Sequence, residues 1–83
     1  MPITFTRHAT EVMQERDIRP EWIEKVVEAP EHLNVDAQDS ARRLAFGRIA
    51  EFGNRWLRVV YVEANGEKRI ITAFFDRGME RRS

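Results

Sequence analysis

Arginine is the residue type on which binding chemistry in this chain most naturally rests. Arg42, Arg43, Arg48, Arg55, Arg58, Arg69, Arg77, Arg81 and Arg82 stud the second half, and the planar fork of each can give two hydrogen bonds to a phosphate without losing its charge. From Ala41 onward there are ten Lys/Arg against five Asp/Glu, whereas residues 1–40 hold four against nine. The halves are therefore +5 and −5, although the formal net charge is zero. That polarity fits either an anion-binding face or an acidic helical half that covers a basic sheet by pairing within the molecule. Beside the arginines stands His8, one of only two histidines, whose ring can exchange a proton near neutral pH.

Other chemistries have no residues to support them. Two histidines with no cysteine, and no His-Glu-x-x-His spacing, predict no metal site. Gly47, Gly53, Gly66 and Gly78 are scattered, so no loop cradles phosphate, no dinucleotide fingerprint is present and no cofactor is expected. Neither Ser40 nor Ser83 stands in a nucleophile elbow. The absence of cysteine gives no reason to expect an oxidising compartment. No leader pattern and no stretch near the roughly 20 apolar residues of a membrane span is visible, so the cytoplasm is the expected location.

The elements that must position these residues fit one domain, 1–83, since a domain usually takes roughly 100–200 residues. Ile3 to Phe5 reads as a short strand. Thr6 reads as the N-cap of a helix with Ala9, Val12, Met13 and Arg16 on one stripe, ending near Asp17. Pro20 opens a second helix, Glu21 and Glu24 suit its positive end, and Trp22, Ile23, Val26 and Val27 form its apolar face before Pro30. With the first strand this helix pair occupies 1–30. Residues 31–41 read as a loop, with room for a short edge strand around Leu33 to Val35.

An antiparallel sheet follows over 42–76, as strands Arg43 to Phe52, Trp56 to Glu63 and Arg69 to Phe75, with 77–83 as a tail. Asn65-Gly66 supplies the two positive φ values of a type I′ hairpin. It sets Val62 against Arg69, Val60 against Ile71, Arg58 against Ala73 and Trp56 against Phe75. Tyr61, Val59 and Leu57 then share the opposite face with Ile70, Thr72 and Phe74. Treating Gly53-Asn54 as a second two-residue turn puts Glu51 and Ile49 with Trp56 and Arg58, and Arg48, Phe46 and Leu44 with Tyr61; a one-residue bulge would exchange the two sets. Gly47 inside a strand suggests a bulge or bend. The Tyr61 face is expected under the helices. The other mixes Arg43, Glu51, Trp56, Arg58 and Arg69 with branched aliphatics, which predicts that something covers it: a protein partner, a second copy, the C-terminal segment, or a nucleic acid using both stacking and charge.

The segments Thr6-Arg7-His8-Ala9 and Gln14-Glu15-Arg16-Asp17-Ile18 resemble the His-Ala…Glu-Arg opening of a widespread small bacterial family of unknown function that is grouped with toxin-like domains. Leu57 to Val62, Arg69 to Ala73 and Glu80-Arg81 are similar to the closing half of BrnT toxins, ribonucleases of the RelE-like superfamily. The resemblance implies an α+β fold of RelE-like order: a short N-terminal strand, two helices, then a three-stranded antiparallel meander. It also implies a toxin-like, metal-independent endoribonuclease, with RNA and an antitoxin protein as partners. Two departures stand out. Phe74 occupies the place of an arginine in the last strand of the BrnT pattern, and His8 has no counterpart there.

Cleavage of that kind needs a base for the 2′-hydroxyl, cations for the charge on phosphorus, and an acid for the leaving oxygen. Arg58 and Arg69, expected on one face, are the candidate cations, with Arg43 in support. His8 is the candidate acid or base, or else a residue that caps or packs the first helix. Glu51 is a second candidate base, or a cross-strand partner of Arg58. Arg16 either closes its helix or contacts RNA, Tyr61 either stacks on a base or sits in the core, and Trp56 offers a ring on the mixed face. His32, in the loop, has no catalytic role. The alternative function is a non-catalytic module that homodimerises or binds a protein through its sheet face, and a third is nucleic-acid binding without cleavage.

Overall fold

The computed structural model describes residues 2–82, and of 80–82 the backbone only. Met1, Ser83 and the side chains of Glu80, Arg81 and Arg82, which enter the charge count and the resemblance, lie outside the described residues. The chain runs β1 (Ile3–Phe5), α1 (Arg7–Arg16), α2 (Pro20–Glu28), β2 (His32–Val35), β3 (Arg42–Ile49), a 3₁₀ turn (Ala50–Phe52), β4 (Arg55–Ala64), β5 (Glu67–Phe75) and α3 (Arg77–Arg82). The fold is α+β. Its sheet is five-stranded and mixed, in the order β1-β5-β4-β3-β2, with β1 parallel to β5 and every other pair antiparallel. The three-stranded meander expected over 42–76 is thus extended on both sides, β2 forms where the sequence leaves room for a short edge strand around Leu33 to Val35, and the tail forms α3.

Local chemistry explains the helices. Thr6 Oγ1 accepts from the Ala9 N–H at 3.1 Å, and Asp17 closes α1 in the left-handed region at φ 54°. Pro20 opens α2, whose Trp22, Ile23, Val26 and Val27 are all buried. α1 lies over β5 while α2 lies over β3 and β4. Between them and the sheet sit Leu57, Val59, Tyr61, Ile70, Ala73, Ala45 and Ile49, each about fully buried, at roughly 1.5–3 kcal/mol for every large aliphatic side chain. Tyr61 is 2% exposed, and burial raises the pKa of its phenol.

Two register features decide which residues face the helices. Asn65 and Gly66 take φ 55° and 75°, and the tight hairpin sets Val62 opposite Arg69 and Tyr61 opposite Ile70, as the turn chemistry predicts. One step later Val60 pairs with Thr72, leaving Ile71 as a bulged residue. Beyond the bulge Val59 pairs with Ala73 and Leu57 with Phe75, so Ala73 and Phe75 turn to the helices while Thr72 and Phe74 turn away.

The other feature is the β3–β4 connection. It spans residues 50–54, because the 3₁₀ turn precedes Gly53-Asn54, and Ile49 pairs with Arg55. The register differs by an odd number of residues from that of a two-residue turn, and the faces of β3 exchange. Phe46, Leu44 and Arg48 join Arg58 on the outer face, whereas Ile49, Ala45 and Arg43 face the helices. Arg43 therefore does not support Arg58, and Glu51 leaves the sheet altogether.

Gly47 marks a close approach of helix to sheet, with no bulge: it pairs regularly with Leu57, and a Cβ there would lie 3.0 Å from Val26 Cγ2. Branched methyls at this point would push α2 off β3. Gly47→Val should lower unfolding stability by about 1–3 kcal/mol, read as a reduced urea midpoint with an unchanged slope.

Candidate functional site

Thr6 joins three elements. Its backbone N–H donates to the Ile70 carbonyl at 3.0 Å, its hydroxyl donates to the carbonyl of the bulged Ile71 at 3.2 Å, and the same oxygen caps α1. β1 ends one residue earlier, at Phe5, so the edge of β5 beyond Ile70 runs beside α1 and not beside another strand. A groove of about 390 Å³ opens there, lined by His8, Val12, Glu15 and Arg16 from α1 and by Thr72 to Phe75 from β5.

His8, Val12 and Glu15 stand at i, i+4 and i+7, one stripe of a helix, and Arg16 follows on its flank. His8, Glu15 and Arg16 are exposed, and none has an ion-pair partner among the described residues, in contrast to Arg7, which pairs with Glu11 at 3.3 Å. The groove thus brings an imidazole, a carboxylate and a guanidinium beside Thr72 to Phe75 of β5. The capping task falls to Thr6, which leaves the His8 ring free of it. Glu15 was not among the sequence candidates, although its helical spacing from His8 was the signal that could have found it.

The remaining candidates are dispersed. Arg58 lies on the outer face with its guanidinium 5.6 Å from the Phe46 ring centre and 5.2 Å from that of Phe74, and 3.7 Å from Asp76. Its Nε is buried without a partner among the described residues. Arg69 shares that face, but Val62, its cross-strand partner, is four residues along β4 from Arg58, or about 13 Å, and the two arginines are engaged by different carboxylates. It is 3.5 Å from Glu67, with its side chain 54% exposed. Glu51 accepts a hydrogen bond from Trp22 Nε1 at 3.0 Å and borders a larger groove of about 750 Å³ by the α1–α2 turn. There Asp17, Glu21 and Glu51 outnumber Arg19, which disfavours an anion.

Arg43 Nη1 donates to the Ser40 carbonyl at 2.6 Å. Tyr61, enclosed in the core, has no free ring face for a base. Trp56 is 5% exposed, with the Arg48 guanidinium 5.3 Å and the His32 ring 5.5 Å from its centre. The cover over this face comes from within the chain. α3 packs against β4, whose other side α2 occupies, and the Asp76 N–H donates to the Trp56 carbonyl at 2.9 Å. Among the described residues no cluster of His, Asp or Glu is placed to hold a metal, and no helix is long and apolar enough to cross a membrane.

A family model described as a domain of unknown function, DUF4258, matches residues 5–75. The chain belongs to the DUF4258 family. The DUF4258 match takes in the groove in full, from the last residue of β1 to the last of β5, and stops short of α3. It carries no link to BrnT or RelE-like toxins. No curated protein and no solved structure matches the chain.

The two outer-face arginines should differ in what they do for stability. Arg58→Ala uncovers two rings and removes the ion pair of Asp76, and is expected to cost about 1–2 kcal/mol. Arg69→Ala, losing one exposed pair, should stay within about 0.5 kcal/mol of the parent chain in the same chemical denaturation experiment.

Proposed function

We propose that this DUF4258 chain is a toxin-like, metal-independent endoribonuclease whose site is the α1–β5 groove. The observation that carries the proposal is that His8, Glu15 and Arg16 line one groove beside Thr72 to Phe75, without an ion-pair partner among the described residues. All three also fall within the two opening segments that resemble toxin-like domains.

The chemistry requires no further group. Glu15 takes the proton from the 2′-hydroxyl, whose oxygen attacks phosphorus. Arg16 donates to the non-bridging oxygens as charge gathers on them, and His8 in its protonated form delivers a proton to the departing 5′-oxygen. The P–O5′ bond breaks, leaving a 2′,3′-cyclic phosphate on one fragment and a free 5′-hydroxyl on the other. Phe74, held by the Arg58 guanidinium on its ring, offers a surface on which a base can stack. Arg58 is then a positioning residue, while Arg69 and Glu51 stand outside the reaction.

A second reading keeps the fold without the reaction: a protein-interaction module. It is favoured by Arg58 and Arg69 being engaged within the chain already, by Asp76 and Glu67. Incubation of the purified chain with single-stranded RNA in excess EDTA separates the two. Cleavage with cyclic-phosphate ends should fall about 10²–10⁴-fold in His8→Ala and Glu15→Gln and comparably in Arg16→Ala, and persist in Arg69→Ala. Inert parent protein, or activity indifferent to His8, rules the groove out as a nuclease; RNA binding without cleavage would leave a binding domain.

A further inference from the structure

The two edges of the sheet are finished differently. On the β1 side the edge strand has three residues and α1 continues along β5. On the other side β2 carries neither lysine, proline nor bulge within His32–Val35, and its register with β3 is unbroken. Leu33 and Val35, both on the helix side of β2 and beyond the cover of α2, are 51% and 55% exposed. Natural sheets usually blunt such an edge, because its unpaired backbone groups are a template for another strand.

β2 is also held ready to pair. At its start Glu31 receives the backbone N–H of Arg48 at 2.6 Å and the Arg48 guanidinium at 2.8 Å, hydrogen bonds that hold its carboxyl below the usual carboxylate range. At its end the Asp36 N–H donates to the Arg42 carbonyl at 3.1 Å, and Asp36 Oδ1 accepts from the Gln38 N–H at 2.9 Å.

That Asp36–Arg42 bond, in register with the pairs of His32 with Phe46 and Asn34 with Leu44, sets the parity within β2; just before the strand Glu31 departs from it, its N–H donating to the Phe46 carbonyl at 2.8 Å. Backbone groups alternate in direction along a strand, so those of His32, Asn34 and Asp36 point to β3 and those of Leu33 and Val35 point to the open edge. We infer that β2 is a dimerisation edge that pairs antiparallel with β2 of a second copy of this chain, about a two-fold axis through Asn34. Only registers that match outward-pointing residues with one another form a ladder, which excludes an axis between two residues. The Asn34-centred register satisfies that condition and pairs Leu33 with the second copy's Val35 twice over, closing four exposed aliphatic side chains into one patch. It sets His32 opposite Asp36 on the outer side, an imidazole against a carboxylate, and brings the two Asn34 amides together on the axis. An axis at Leu33 would instead oppose Glu31 to Val35. An isologous pairing of this kind closes after two copies and joins the two sheets into one of ten strands. It stands apart from the ribonuclease reading, because β2 and the α1–β5 groove lie at opposite edges of the sheet.

Sedimentation of the full chain up to about 1 mM tests it, a range suited to a small interface. The parent chain should sediment at twice the monomer mass. Leu33→Lys or Val35→Glu alone should weaken association at least about tenfold, on the order of 1.4 kcal/mol, with circular dichroism unchanged and with the parent's melting temperature at dilutions where both chains are monomers, because both sites are exposed. The double variant L33K/V35E should recover the dimer, since lysine then faces glutamate across both halves of the ladder. Asn34→Cys should cross-link under oxidised glutathione faster than an Asp39→Cys control, as its two Cα atoms would be about 4.5 Å apart. A parent chain that stays monomeric, a dimer indifferent to the single substitutions, or one that fails to recover in the double variant overturns the proposal. Binding of a different protein's strand to a chain that never self-associates overturns it equally.

Discussion

The rest of the structure depends on Thr6 and the bulged Ile71 meeting. One side chain, donating to the Ile71 carbonyl and accepting from the Ala9 N–H, fixes where α1 begins relative to β5. The bulge makes that contact available, because the extra residue turns a carbonyl out of the β4–β5 ladder. With β1 stopping at Phe5, α1 fills the place of a longer edge strand, and the side chains two to ten residues after Thr6 are laid along the open edge of β5. His8, Glu15 and Arg16 gather there for that reason.

The same bulge sorts the core. Ala73, 1% exposed, faces the helix layer as a small residue among the larger Met13, Ile70 and Val59. Phe74 turns outward, where the Arg58 guanidinium lies between it and Phe46. An arginine that looks like a free cation in a row of strand residues is thereby committed to two rings and to Asp76. The polarity of the sequence, acidic in one half and basic in the other, is partly spent in pairs of this kind: Arg48 with Glu31 links the two halves, while Arg58 with Asp76 and Arg69 with Glu67 lie within the basic half.

Those elements whose cause is local were legible in the sequence. The Thr6 cap, the Pro20 start and apolar stripe of α2, the Asn65-Gly66 hairpin and the burial of Leu57, Val59, Tyr61 and Ile70 each follow from a few neighbouring residues. What escaped is decided by parity across longer distances. Gly53-Asn54 has the composition of a two-residue turn, yet the 3₁₀ turn ahead of it shifts the register by an odd step and moves Arg43 and Glu51 away from Arg58. Ile71 and Thr72 are both β-branched, and nothing in their types marks a bulge. β2, by contrast, is legible as a short edge strand around Leu33 to Val35, and forms over His32–Val35. The tail read over 77–83 becomes α3 behind Asp76, whose Oδ1 accepts from the Gly78 N–H at 2.8 Å, a capping signal legible only once β5 has been ended at Phe75. Of the candidate site, His8 and Arg16 are among the sequence candidates, whereas Glu15, in the same segment as Arg16 and at helical spacing from His8, is not.

On the proposed function the chemistry therefore lies on the first helix, with the arginine-rich sheet engaged largely in pairs within the chain. The most direct test is backbone amide chemical-shift mapping with a single-stranded oligonucleotide whose 2′-positions are methylated, so that it binds without being cut. The largest shifts should fall on His8, Glu15, Arg16 and residues 72–75, saturating together and weakening as salt is raised. Shifts centred instead on Arg69 and the outer face, or none at all, would contradict the account.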